Sequence, residues 1–200
     1  NASNFDQDLS SWNVSGVHEI GSMFYEALNF NGDLSNWDLS NAADISGMFA
    51  NAYNFNGDVS SWNVSMVENM AFLFSGCENF NQDISNWNVS NVTDMAGMFE
   101  SALVFDQNLS TWDVSNVYNM SSLFENAVSY NQDLYSWDVT GTELMSNMFL
   151  NASSFNQDVS NWDISNVMEM ENIFDSIDKV SIHNVKDEVD FFVEQIYKKY

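Results

Sequence analysis

The chain has 200 residues, enough for one domain with a sizeable core, and its 29 acidic residues against four lysines and no arginine give a net charge of −25. That charge argues against a nucleic-acid or anionic-membrane partner, and no apolar run is long enough to insert into a membrane. Hydrophobic residues make up 45% of the sequence and aromatic residues 15%, which excludes a disordered acidic chain.

Aromatic residues recur every 25 residues, without insertion or deletion, as far as about residue 178. The tryptophan column is Trp12, Trp37, Trp62, Trp87, Trp112, Trp137 and Trp162. Two further columns are Phe24, Phe49, Phe74, Phe99, Phe124, Phe149, Phe174 and Phe5, Phe30, Phe55, Phe80, Phe105, Tyr130, Phe155. Aliphatic columns between them change only among apolar residues of similar volume, as stacked core positions require. The period indicates a repeat solenoid in which no single unit, or rung, buries its aromatic side chains alone.

Each rung combines two apolar spacings. Trp12 and Val14 are two residues apart, which is typical of a strand, and the apolar residues from Val17 onward step by about three. We therefore expect a mainly β solenoid, in which residues 1–178 form seven rungs. Each rung should have one short strand plus a second short strand or a 3₁₀ or helical turn. The lone Cys77 replaces an alanine of its column, and we expect it to be a small buried residue.

One column is almost entirely aspartate, and a serine usually follows two residues later. Its aspartates are Asp8, Asp33, Asp58, Asp83, Asp133 and Asp158, with Asn108 as the exception. Asp-x-Ser suits a turn in which the carboxylate accepts the backbone N–H two residues on. Stacked carboxylates also repel one another, so the same six aspartates are weak candidates for a row of Ca²⁺ ligands. We favour the turns, and we expect no other cofactor.

The repeat pattern ends near residue 178, and residues 179–200 carry all four lysines. Apolar residues from Val185 to Ile196 recur at helical spacing, which predicts an amphipathic helix over about 185–199 that caps the last rung. The first residue falls inside a rung. We therefore expect further repeats or a partner to cover the N-terminal edge.

The string Phe80-Asn-Gln-Asp-Ile-Ser-Asn-Trp-Asn-Val-Ser-Asn-Val-Thr-Asp-Met-Ala-Gly-Met-Phe99 closely resembles the BspA-like surface-protein repeat. The resemblance covers residues 1 to about 178. It implies a leucine-rich-repeat-like, right-handed coil in a secreted or surface-exposed protein, on a cell or a virion, with a role in adhesion or protein binding. It carries over no catalytic residue. Met66 and Gly16 depart from the usual asparagine at their position of the repeat.

Nothing in the sequence marks an enzyme, because acidic pairs recur in every rung and the two histidines are isolated. We expect a binding or adhesion module for a protein or surface glycan. The alternative is an architectural component that packs against neighbouring subunits, with or without divalent cations. Partner-binding candidates are apolar residues at variable positions: Leu28, Tyr53, Leu103 and Val128 in one column, and Tyr118 in another. The first four could instead pack back onto the neighbouring turn.

Overall fold

In a computed structural model of the chain, residues 2–175 are described. Across this part there is no helix, and pairing between rungs takes the form of single-residue parallel bridges. Each bridge joins equivalent residues of consecutive rungs, 25 residues apart. The bridges are Glu19–Asp44, Asp44–Asn69, Asn69–Asp94, Asp94–Asn119, Asn119–Leu144 and Leu144–Glu169. The rungs therefore stack in parallel and in register.

A backbone ladder follows each bridge over residues 20–26 and their equivalents, which we call the ladder segment. In the second rung the N–H groups of Ile45, Gly47, Phe49 and Asn51 donate to carbonyls of the third rung at 2.7 to 3.1 Å. The intervening N–H groups of Met48 and Ala50 instead donate to carbonyls three residues back, at 3.2 and 3.0 Å. Every second backbone N–H thus bonds to the next rung, and N–H groups between them close tight turns within the same rung. This explains a three-residue apolar spacing without a helix.

Two columns of the ladder segment have a positive φ in every described rung. The first is Ser22, Gly47, Phe72, Gly97, Ser122, Asn147 and Asn172, and the second is Glu26, Asn51, Gly76, Ser101, Asn126 and Asn151. Each lies third in a four-residue turn, where a left-handed backbone suits glycine and asparagine. Phe72, with φ of 57°, is the one aromatic residue among them.

The predicted aromatic columns form the core. Phe49 stacks on Phe55 of the next rung with ring centroids 3.8 Å apart, and the same pairing repeats along the stack. From Trp37 onward every tryptophan is buried, and its indole N–H donates to a carbonyl of the preceding rung, as Trp87 does to Val59 at 3.1 Å. Trp12 differs, since it is 51% exposed. Cys77 is buried, as its column predicts.

The inter-rung pairing does not lie where the sequence pattern places the strand. Trp12 lies between two side-chain-capped turns and Val14 lies within the second, because the N–H groups of Ser10 and Ser15 donate to Asp8 and Asn13 at 2.8 and 3.1 Å. The parallel bridge forms instead at Glu19. The predicted cap over 185–199, and the end of the seventh rung, lie outside the described residues. No helix in the described part is long and apolar enough to cross a membrane.

Candidate interaction surface

The aspartate column caps turns. In all seven rungs its side-chain oxygen accepts the backbone N–H two residues on, at 2.8 to 3.0 Å. Hydrogen bonds from the hydroxyl and the N–H of Ser60 lower the pKa of Asp58, and serines act in the same way on Asp8 and Asp83. The six candidate Ca²⁺ ligands are exposed, each with one oxygen committed to its turn. Residues 2–175 contain no group of three or more acidic, histidine or cysteine side chains that could hold a metal ion.

One column of asparagine and aspartate side chains forms hydrogen bonds between rungs that were not predicted from the sequence, and we call it the amide ladder. The side-chain oxygen of each of the first six members accepts the backbone N–H of the equivalent residue in the next rung at 2.8 to 3.1 Å. Its members are Asp6, Asn31, Asn56, Asn81, Asp106, Asn131 and Asn156. An unbroken Asn or Asp column beside a buried aromatic column was the signal that could have found it. The ladder leaves these oxygens engaged within the stack.

The candidate column that contains Leu28 lies outside the core. Tyr53 and Val128 are 42% and 39% exposed, and Leu28 and Leu103 are half-buried. Their backbone holds the stack together, since the carbonyl of Tyr53 accepts the N–H of Asn79 at 3.3 Å. These four side chains remain predictions as partner contacts.

Tyr118 lies just before the ladder segment of the fifth rung and is 42% exposed. Its hydroxyl donates to Oδ2 of Asp94 at 3.4 Å, and the charge of Asp94 raises the pKa of Tyr118. We call the outward side chains of residues 18–26 and their equivalents the ladder face. Tyr25 also lies on this face, 49% exposed, and a hydrogen bond with Glu26 raises its pKa.

The strongest departure on the ladder face is Phe72, which is 45% exposed. The equivalent residues in the rungs before and after it are Gly47 and Gly97, both buried. A Cβ on Gly97 would collide with Cε1 of the Phe72 ring, so the ring lies against the Gly97 backbone. The left-handed backbone of Phe72 is unfavourable for a bulky residue. The Phe72 ring therefore packs against the backbone of Gly97, where any residue with a Cβ would collide with it.

Glu100 lies beside that ring. Its Oε2 is 3.3 Å from the place a Cβ of Gly97 would occupy, and it accepts the Ser75 hydroxyl at 3.2 Å. The side chain is half-buried. Burial raises the pKa of Glu100, the Ser75 hydroxyl opposes that shift, and the charge of Glu125 adds to it. We call these two side chains the Phe72–Glu100 pair, an aromatic ring and a carboxylate above one glycine.

Stacked rungs of one length, with one aromatic core and repeated turn chemistry, define a repeat protein. The chain belongs to the family described as Mycoplasma protein of unknown function, DUF285, whose model matches residues 1–87 and again residues 68–187. A search of curated proteins finds no match to the sequence.

Proposed function

We propose that the chain is a non-enzymatic binding or adhesion module of a secreted or surface-exposed protein. In this proposal the rungs form a right-handed, leucine-rich-repeat-like solenoid whose outer faces meet the partner. The resemblance to BspA-like repeats supports the location and the role, and the parallel register of the rungs supports the coil. An experimental structure that resolves the sense of the coil tests the handedness.

One observation carries the proposal: exposed aromatic side chains on the ladder face lie beside carboxylates. Tyr25 is next to Glu26, and Tyr118 bonds to Asp94. Phe72 pairs with Glu100 in the same way across Gly97. Core packing does not account for these rings, since their columns carry small or polar residues in most other rungs. Exposed aromatic side chains are the usual anchors of protein interfaces and also stack on sugar rings.

The test compares the wild-type protein with the triple variant Y25S/F72S/Y118S. Binding to arrays of cell-surface proteins and glycans is measured by surface plasmon resonance, with melting temperature recorded for each variant. A control variant, D38N/D113N/D138N, changes a different exposed column that natively contains asparagine. The proposal expects saturable wild-type binding that the control retains and the triple variant loses while staying folded. Equal binding by all three proteins would contradict it.

The architectural alternative is favoured by a different observation. In the first rung Trp12 and Met23 are 51% and 39% exposed, whereas the later members of both columns are buried. Another subunit could pack on that end, and a preceding rung of the same kind would cover the same side chains. Sedimentation over a range of concentrations, with and without Ca²⁺, tests this alternative. Assembly that the W12S variant abolishes would favour packing over the binding of a separate partner.

A further inference from the structure

Phe72 is unusual in conformation, exposure and neighbourhood at once. We propose that the Phe72–Glu100 pair is a binding site for a cationic side chain, with arginine preferred to lysine, presented by a protein partner. The proposal rests on the proposed binding function and names the chemistry of its partner. The guanidinium group would stack on the open side of the Phe72 ring while Glu100 accepts its N–H groups.

The aromatic half of the site is fixed in place. One side of the ring lies against Gly97, so its position depends on the neighbouring rung as well as on its own backbone. Ala71 and Ala96, which precede Phe72 and Gly97, are buried, so no larger side chain from those positions covers the ring. A planar cation can therefore approach the exposed part of the ring, where its electron-rich face attracts positive charge.

Within the described part of the chain, no basic side chain accompanies the acidic half of the site. Glu100 is half-buried and bonds to the Ser75 hydroxyl, and residues 2–175 contain neither lysine nor arginine. An external cation would therefore neutralise a carboxylate for which residues 2–175 offer no lysine or arginine counterion. Arginine fits better than lysine because its flat guanidinium can stack on a ring and bond to a carboxylate at the same time.

The rest of the molecule favours the same class of partner. A total of 25 of the 29 acidic residues lie in residues 1–178, so a basic segment is attracted from a distance in low salt. Next to the Phe72 ring, the carboxylate that the contacts at Gly97 place closest is that of Glu100. Long-range attraction would thus deliver a basic segment, and the ring with its single carboxylate would select the residue that docks.

The experiment is an NMR titration of the full 200-residue chain with the peptide acetyl-Gly-Arg-Gly-amide. The neutral isostere containing citrulline serves as the ligand control. Variants F72S and E100Q remove either half of the site, and serine is native at the equivalent Ser22 and Ser122. The matched control is E125Q, because Glu125 occupies the same column one rung later without an aromatic neighbour of this kind.

We expect the arginine peptide to shift the amide signals of Gly97 and Ser75 saturably, and the citrulline peptide to leave them unmoved. F72S should weaken binding by about 2- to 30-fold, the range of a cation–π contact, and E100Q should weaken it by a similar factor. E125Q should weaken binding much less than E100Q does, because Glu125 lies one rung away and acts on the site only through its charge. Equal shifts from citrulline, equal weakening by E125Q, or shifts spread over the acidic surface would each overturn the proposal.

A further variant tests the chain's own lysines as occupants. If K179Q/K186Q/K198Q/K199Q strengthens peptide binding tenfold or more, the tail fills the site and the assignment to a partner is wrong. If the arginine peptide fails to bind while cell-surface ligands still bind, this inference is wrong and the proposed function stands. Intact peptide binding with no cell-surface ligand would instead remove the proposed function.

Discussion

Replacing Tyr130 with phenylalanine should stabilise the protein. Tyr130 is the one tyrosine in a column of phenylalanines, is fully buried, and stacks on Phe124 with ring centroids 4.0 Å apart. Its hydroxyl has no hydrogen-bond partner. A buried hydroxyl without a partner costs about 1–3 kcal/mol of desolvation, and burial raises the pKa of Tyr130, so ionisation offers no relief at neutral pH.

The Y130F variant removes that cost and leaves the ring stack intact, at the expense of a void smaller than a methyl group. The void lowers stability by less than about 1 kcal/mol, so we expect a net gain of about 1–2 kcal/mol in the free energy of unfolding. For a chain of this size the melting temperature should rise by roughly 2–4 °C per kcal/mol. The reverse change F105Y, one rung earlier in the same column, should lower stability by a similar amount.

Guanidinium unfolding followed by tryptophan fluorescence, checked for two-state behaviour against calorimetry, measures both variants. An unchanged or lower stability for Y130F would refute the reasoning. It would mean that the hydroxyl has a partner, such as a water shared with Asp106 or Asp133, whose charges act on this phenol. A neutral outcome for F105Y would likewise show that a hydroxyl at this position finds hydrogen bonds in solution.

Three further predictions follow from the core and the turns. Trp87→Ala should cost at least about 3–5 kcal/mol in thermal unfolding, because it leaves a cavity in the buried stack and removes the indole bond to the Val59 carbonyl. Trp12→Ala should cost far less, since Trp12 is half exposed, and equal costs would contradict the core assignment. The pKa values of Asp58 and Asp83 are lower in the folded protein than the ordinary value of 3.8. Their contribution to stability is therefore fully present above about pH 3.8 and is lost as the pH falls through the pKa of the folded state. D58N/D83N should match the wild type in stability at neutral pH, because the side chain of Asn108 caps its turn in the same way. In acid the melting temperature of the variant should fall less than that of the wild type. An equal fall in both proteins would show that protonation of these aspartates does not affect stability. CaCl₂ and MgCl₂ at matched ionic strength should raise the melting temperature equally, and an excess effect of Ca²⁺ would restore the aspartate column as a cation row.

Much of the stack is readable from the sequence, because core columns tolerate only apolar residues of similar size. Trp37 and Phe49 are buried as their columns predict. The bridges between rungs lie at Glu19 and its equivalents, whereas Trp12 and Val14 lie at two turns that Asp8 and Asn13 cap. The left-handed columns were missed, although their enrichment in glycine, asparagine and serine was a visible signal.

The candidate site is harder to predict. Tyr118 was named from the sequence because it departs from its column, and it does lie exposed on the ladder face. Phe72 was overlooked, although it departs from its column in the same way. Its setting depends on Gly97 and Glu100, which are 25 and 28 residues away in sequence, and only the register of the stack brings them together. A single rung read by itself gives no indication of the pair.

The rung-to-rung bonds also govern how such a chain can change length during evolution. From Trp37 onward each indole N–H reaches a carbonyl of the preceding rung, and the residues with a left-handed backbone recur in the same two columns of every described rung. Losing or gaining one residue within a rung would place a large side chain in a left-handed turn and move every later tryptophan out of the core. Recombination between repeats, in contrast, adds or removes a whole 25-residue unit and restores every contact. The molecule can therefore be lengthened or shortened in whole rungs while its cross-section stays the same.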